Sequence, residues 1–193
     1  MLAGNSADAL AVAFACWVSG ACYLPLNLHE TAERHSFILR DADARLLVHV
    51  PSTAQAAQAL ASRAGIPALT AEELRASAPA LPEVAVGLDA PAVRVYTSGT
   101  TGEPKGVELT AANLMTDGDA MSQVLEWNEH TRVLIVLPVH HVNGLVLSSL
   151  TSWLCGSSVV LCETGSAPTD SGATWRTRPP PCAAWCRACW SSC

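Results

Sequence analysis

The sequence predicts an α/β protein of parallel βαβ units in a doubly wound sheet, and three observations carry that reading. Short runs rich in β-branched residues and leucine, at 45–50, 93–96, 133–137 and 158–162, alternate with stretches of helical period. Half of the 193 residues are apolar and only 15% are charged, enough for one sizeable core and too apolar for a disordered chain. Glycine and hydroxyl residues crowd into one loop between two of the strands.

Taken in order, Asn5 or Ser6 is placed to cap a first helix, with Asp8 in its first turn at the positive end of the dipole. Leu10, Phe14, Trp17 and Val18 follow at helical spacing, and Gly20 ends the run. Residues 22–24 read as a short strand, turned by Pro25 and Asn27. Thr31 caps a second helix whose inner face is Phe37 and Ile38. The strand at 45–50 leads to an Ala-rich helix over about 53–64, stopped by Gly65, and then to a short strand at 67–69. Residues 77–91 hold Pro79, Pro82, Gly87 and Pro91 without either period and read as a surface linker. Strands at 93–96 and 107–109 flank the glycine-rich loop. Thr110 caps a helix to about Leu125, 133–137 is a buried strand, 143–154 a helix and 158–162 a last strand.

The loop reads Val95-Tyr96-Thr97-Ser98-Gly99-Thr100-Thr101-Gly102-Glu103-Pro104-Lys105-Gly106-Val107. Glycine admits positive φ, so successive N–H groups can converge on one point, and hydroxyls with a lysine at that point suit phosphate oxygens. It is not a Walker loop, which needs Gly before the Lys and Ser/Thr after it; here Pro104 precedes Lys105 and Gly106 follows. The plain alternative is a Ser/Thr/Gly surface hairpin that binds nothing. Twelve adjacent positions resemble the signature loop of the acyl-adenylate-forming enzymes, which include acyl-CoA synthetases, aryl-CoA ligases, luciferases and peptide-synthetase adenylation domains. The resemblance implies that Thr97, Ser98, Gly99, Thr100, Thr101, Gly102 and Lys105 bind the phosphates of ATP. It also implies Mg²⁺ and coenzyme A as cofactors, a small carboxylic acid as substrate and a link to fatty acid metabolism.

Asn5-Ser6, Gly20-Ala21 and Leu24-Pro25-Leu26-Asn27 resemble the opening segment of the same family, so residues 5–162 can be laid along its N-terminal part. The family usually has a further strand ahead of the Asn-Ser pair, and on that pattern the start reads as clipped. Many members carry His after the Thr that ends the loop, whereas this chain has Thr110-Ala111-Ala112-Asn113, an expected weakening of a helix cap or nucleotide-edge contact.

A second constellation is Pro138-Val139-His140-His141-Val142-Asn143-Gly144, at the end of a strand. Imidazoles there offer donor and acceptor near neutral pH, as a carboxylate substrate requires. The bland alternative is two ordinary loop histidines. By resemblance, His141 falls on the family's Pro-x-x-His-x-x-Gly position and orients the carboxylate, while His140, Asn143 and Gly144 line the substrate pocket. Other candidates carry less. His29, Glu30 and His35 lack the zincin spacing and decorate a solvated helix start, Asp41 and Asp43 flank a turn with no partner in view, and no metal site is expected.

Net charge is −6 with eleven Lys and Arg in total and no basic run, which argues against nucleic acid. The least charged window, 142–162, is interrupted by Asn143, Gly144, Gly156 and hydroxyl residues, so no membrane span is expected. No partner protein is readable. Cys16, Cys22, Cys155 and Cys162 sit in apolar stretches and read as small buried hydrophobes in a cytoplasmic protein.

Residues 1–162 are therefore read as a partial N-terminal AMP-binding domain, with a linker at about 77–91. Residues 163–193 are an aperiodic tail rich in Arg, Pro, Ala, Cys and Trp. Zinc ligation, disulfides and a partner-binding tail are alternatives, but the composition best fits a slipped reading frame of a GC-rich gene or a disordered end. By resemblance, an active member also needs a Tyr-Gly-x-Thr-Glu segment, a ribose-binding Asp and a lid lysine, and these 193 residues contain no such segment. The expectation is an ATP-dependent acid-activating ligase of which this chain is a truncated, inactive fragment. The competing classes are a non-catalytic nucleotide- or partner-binding module and a different phosphate-loop enzyme.

Overall fold

The structure is a computed structural model that describes residues 1–77, 84–97 and 103–162. It divides into two compact units, one of Met1–Gly4 with Asp8–Leu114, the other of Asn5–Ala7 with the described residues from Met115 onward. Residues 78–83 of the expected linker and the tail 163–193 lie outside the described residues.

In the first unit, α1 (Ala7–Ser19) buries Ala9, Leu10, Val12 and Ala13. The large residues Phe14 and Trp17 stack edge-to-face at 5.1 Å and are half-buried, and Val18 is exposed, so the inward stripe is built from smaller residues than expected. Gly20 ends the helix at φ 74°, a value that costs glycine little. Thr31 accepts from Arg34 N and caps α2 (Ala32–Asp41), as its place in the sequence implies. Next come β1 (Leu47–His49), a 3₁₀ turn at Pro51–Thr53, α3 (Ala54–Ala64) closed by left-handed Gly65, and β2 (Ala68–Thr70). Strands β1 and β2 pair in parallel around α3, an expected βαβ unit. A short helix, α4 (Ala71–Ser77), occupies the residues just before the predicted linker; Glu73 accepts from both Thr70 N and Thr70 Oγ1 at its start, a local signal that sequence reading passed over.

The strands β3 (Pro91–Thr97) and β4 (Lys105–Thr110), which flank the glycine-rich loop, form an antiparallel hairpin within the otherwise parallel βαβ pattern. The residues between them are too few for a parallel crossover. Parallel pairing resumes through single bridges: Leu2 to His49 and to Leu26, and Tyr23 to Val93. The predicted strand at 22–24 is thus one bridge long, because Pro25 removes a backbone donor from the segment. These bridges link the β1–β2 and β3–β4 ladders of the first unit through the segments at residues 2 and 23–26, where a continuous sheet was anticipated. Leu2, Leu26, Ile38, Leu39, Leu47 and Leu60 close the core behind them; each fully buried Leu or Ile contributes about 1.5–3 kcal/mol.

In the second unit, β5 (Arg132–Ile135) and β6 (Ser158–Leu161) pair in parallel, with Arg132 opposite Ser158 and Ile135 opposite Leu161. Burial alternates along β5, and Leu134, Val136 and Leu137 are exposed, so the run at 133–137 is not buried on both faces as expected. The connection is a π-helical segment, Asn143–Leu150, followed by α6 (Thr151–Leu154), where a regular helix was expected. Hydroxyls explain the wider winding. Ser148, Ser149 and Thr151 donate to carbonyls five residues back, so the buried Ser149 and Thr151 are satisfied within the segment. The preceding helix, α5 (Ala111–Leu125), is capped reciprocally: Asn113 Oδ1 accepts from Thr110 N and Oγ1, and Thr110 Oγ1 accepts from Asn113 N. The cap is intact, contrary to the weakening inferred from the missing His. At Gly118 of α5, a Cβ would come 2.5 Å from Leu154 Cδ1, which brings α5 close to α6.

Asn5 does more than cap a helix. Its side chain is buried, with Nδ2 donating to the carbonyls of Leu137 at 3.1 Å and Cys162 at 3.0 Å while Oδ1 accepts from Val139 N at 2.8 Å. One carboxamide therefore joins the chain just beyond the ends of β5 and β6. Several other expectations are corrected. Cys22 is exposed and Cys16 and Cys155 are half-buried; Cys162 alone of the four is buried. His35 is buried, with Nε2 2.8 Å from the Asn27 carbonyl, and does not decorate a solvated surface. Asp43 pairs with Arg45, and Asp41 with Tyr96. Among the described residues, no helix is long and apolar enough to cross a membrane.

Asn5→Ala leaves two carbonyls and one N–H without that partner, and is expected to destabilise the protein by about 3 kcal/mol. Asn5→Asp is expected to cost at least as much, since a carboxylate then faces two carbonyl oxygens. Urea unfolding checks both, and a loss below about 1 kcal/mol for either would show that the carboxamide is not holding the strand ends together.

Candidate functional site

The hairpin register defines the geometry at the predicted phosphate loop. Thr97 pairs with Lys105 and Tyr96 with Gly106, so the first hydroxyl and the lysine of the motif stand on neighbouring strands at the open end of the hairpin. Both residues are exposed. Ser98, Gly99, Thr100, Thr101 and Gly102 lie outside the described residues. The pairing of Thr97 with Lys105 fits a phosphate group: a neutral donor and a fixed positive charge project from adjacent strands and need no helix N-terminus to support them.

What holds this end of the hairpin was not read from the sequence. Tyr96 Oη donates to Asp41 Oδ2 at 2.5 Å, and Arg34 Nη2 donates to the Thr97 carbonyl at 3.4 Å. Further down the hairpin, Arg94 pairs with Glu108 across the strands at 2.5 Å. Asp41 is the signal that sequence reading passed over, because an acidic last residue of a helix is disfavoured by the dipole and calls for a partner.

The second group of predicted residues lies in the second unit, beyond β5. Val139 is buried, His140 half-buried and His141 exposed. The two imidazoles are 4.4 Å apart between centroids and tilted by 51°. His141 N donates to the Pro138 carbonyl, and the His141 carbonyl accepts from Leu145 N, so its backbone belongs to the turn that starts the π-helical segment. Asn143 is exposed at the first position of that segment. Gly144 is buried, and a Cβ there would stand 2.4 Å from the Pro138 carbonyl oxygen and 2.9 Å from that of Leu137. Glycine at 144 is required by this backbone approach, quite apart from any part it has in a pocket. The structure thus assembles the predicted residues in two places, Thr97 with Lys105 and His140 with His141, Asn143 and Gly144. Among the described residues, no group of three His, Cys, Asp or Glu side chains converges to hold a metal ion.

Residues 1–178 match the family described as AMP-binding enzyme. The chain belongs to the AMP-binding enzyme family. The match starts ahead of residue 5 and runs past residue 162, the limits that the motifs mark. A probable CoA ligase of Humulus lupulus is 36% identical over 179 residues, covering 81% of this chain and 34% of the relative. The sulfoacetate–CoA ligase of Cupriavidus necator is 38% identical over 167 residues, covering 78% of this chain and 33% of the relative. Among solved structures, o-succinylbenzoate coenzyme A synthetase from Bacillus subtilis, in complex with ATP and magnesium ion, superposes with a TM-score of 0.70. It is 29% identical and covers 82% of this chain and 33% of that one. The chain therefore spans about a third of the length of the curated relatives it matches. The mixed helix and strand arrangement is that of the N-terminal region of these AMP-binding folds.

The two tyrosines give this AMP-binding chain a pH signature. Desolvation, followed by the hydrogen bond to Asp41, pushes the Tyr96 phenol up to about 12. Burial pushes Tyr23 higher still, with its hydroxyl 3.4 Å from the Ala9 carbonyl. A raised phenol pKa favours the neutral form in the folded state, so its contribution is complete below the unfolded value near 10 and is lost as pH rises through about 12. Near-ultraviolet titration is expected to show no phenolate at pH 10 in the folded protein and a fall in stability above it. One tyrosine titrating at its ordinary value would contradict the Tyr96–Asp41 contact.

Proposed function

We propose that this chain carries the phosphate- and carboxylate-binding part of an AMP-forming carboxylic acid–coenzyme A ligase. The observation that carries the reading is the pairing of Thr97 with Lys105 at the open end of a hairpin, in a chain of the AMP-binding family. The names of its relatives, a probable CoA ligase and a sulfoacetate–CoA ligase, support the reaction class. Thr97 donates a hydroxyl to phosphate oxygen, and Lys105 neutralises the charge that accumulates as the α-phosphorus is attacked. Ser98, Gly99, Thr100, Thr101 and Gly102 complete the cradle. His141 orients the carboxylate, and His140, Asn143 and Gly144 line the acid's pocket. Mg²⁺, when bound with ATP, would supply further neutralisation of phosphate charge beside Lys105. A carboxylate oxygen bonds to the α-phosphorus as pyrophosphate leaves; the thiol of coenzyme A then takes the acyl group as AMP leaves.

The four described cysteines are free thiols, which supports a reducing compartment, and we place the protein in the cytoplasm. We assign residues 1–162 to the AMP-binding part, to which the family match adds residues up to 178, and read the remainder of the tail as sequence of out-of-frame character. Because it spans about a third of the length of its relatives, the chain by itself is expected to bind nucleotide and to turn over little or nothing.

Calorimetric titration of the full 193-residue chain with Mg·ATP tests the reading. Lys105→Ala is expected to weaken binding about 10- to 100-fold, the worth of a hydrogen bond to a charged group. Pyrophosphate exchange by the chain, over a panel of carboxylic acids, is expected to stay at background. Equal binding by Lys105→Ala would sink the phosphate assignment, and measurable exchange would sink the claim that the chain is inactive alone.

A further inference from the structure

Two residues of α2 reach the open end of the β3–β4 hairpin. Arg34 and Asp41 are seven residues apart and therefore lie on one face of that helix, two turns from each other. Asp41 is its last residue, where the negative end of the dipole opposes a carboxylate. The compensation is the hydroxyl of Tyr96, which donates to Asp41 Oδ2 at 2.5 Å. The ring of Tyr96 in turn lies across Gly106: a Cβ at 106 would stand 3.1 Å from ring Cζ and 3.2 Å from Oη. A side chain at 106 would push the ring back by a few tenths of an ångström, so glycine directly after Lys105 lets the ring keep this close approach. On the other strand, Arg34 Nη2 donates to the carbonyl of Thr97, the partner of Lys105, and Arg34 Nε is 3.0 Å from Glu30 Oε2.

We infer that Asp41 and Arg34 are positioning residues that hold Thr97 and Lys105 in register for phosphate binding, Asp41 through Tyr96 and Gly106, Arg34 through the Thr97 carbonyl. The inference rests on the phosphate-binding reading above. A helix that only packed against the hairpin would not need its unfavourable terminal carboxylate or a guanidinium aimed at that one carbonyl. Local departures of this kind are expected where function, not folding, selects the residue.

Mg·ATP titration of the full chain separates the possibilities. Tyr96→Phe and Asp41→Ala are each expected to weaken binding about tenfold, the equivalent of one charge-assisted hydrogen bond. The double variant is expected to bind no worse than either single one, because both remove the same bond. Asp41→Asn keeps an acceptor oxygen for the phenol and is expected to stay within about twofold of the parent chain, a rescue that general packing loss would not produce. Arg63→Ala, which breaks the exposed ion pair with Glu33, is the control expected to leave binding unchanged. If Asp41→Ala does not fold, Tyr96→Phe decides, since it keeps the ring over Gly106. Parent-like binding by Tyr96→Phe, or additive losses in the double variant, overturns the inference and leaves the phosphate reading standing. Failure of the folded parent chain to bind Mg·ATP overturns both.

Discussion

The register of one hairpin governs what this chain can do. Because β3 and β4 pair with Tyr96 opposite Gly106, Thr97 must stand opposite Lys105. A slip by one residue would turn the lysine to the other face of the ladder and bring a side chain under the tyrosine ring. The close approach at Gly106 therefore favours this register, and the hydrogen bond to Asp41 holds the ring that makes the approach. The proposed phosphate site would then need little more than a hydroxyl and a cation held in a fixed relation, since charge stabilisation depends on donors placed before the reaction begins.

The second unit relies on a comparable device made from a different group. The side chain of Asn5 satisfies three backbone groups just past β5 and β6, where the chain turns toward His140 and His141. Ends of parallel strands are where α/β proteins place ligands, and they are also where backbone groups lose their ladder partners. A carboxamide, with donors and an acceptor on one small planar group, meets that need in a way no apolar residue can. Gly144 then starts the π-helical segment against the Pro138 carbonyl, and the hydroxyls of Ser149 and Thr151 allow a polar helix to be buried.

Local signals in the sequence were informative wherever the cause is local. Thr31 as a cap, Gly20 and Gly65 as helix stops and Thr110 ahead of α5 all stand where the residue types imply, because capping and positive φ are decided within a few residues. The fold class followed from alternating periods. What escaped was long-range: the Asp41–Tyr96 bond spans 55 residues and the longest of the Asn5 contacts 157. Neither leaves a periodic trace. The antiparallel sense of the hairpin was open to inference from the short connection between β3 and β4, within an otherwise parallel βαβ pattern. The exposure of Cys22 likewise depends on what packs nearby, which an apolar neighbourhood in sequence does not report.

The central claim is that nucleotide phosphate is held at the end of this hairpin, and hydrogen exchange with mass spectrometry locates binding most directly. With Mg·ATP present, peptides covering residues 96–106 are expected to gain protection, since bound phosphate oxygens would accept hydrogen bonds there and slow exchange. The same peptides should show no change with Mg²⁺ alone. Protection confined to other parts of the chain, or equal protection by Mg²⁺ without nucleotide, would contradict the account.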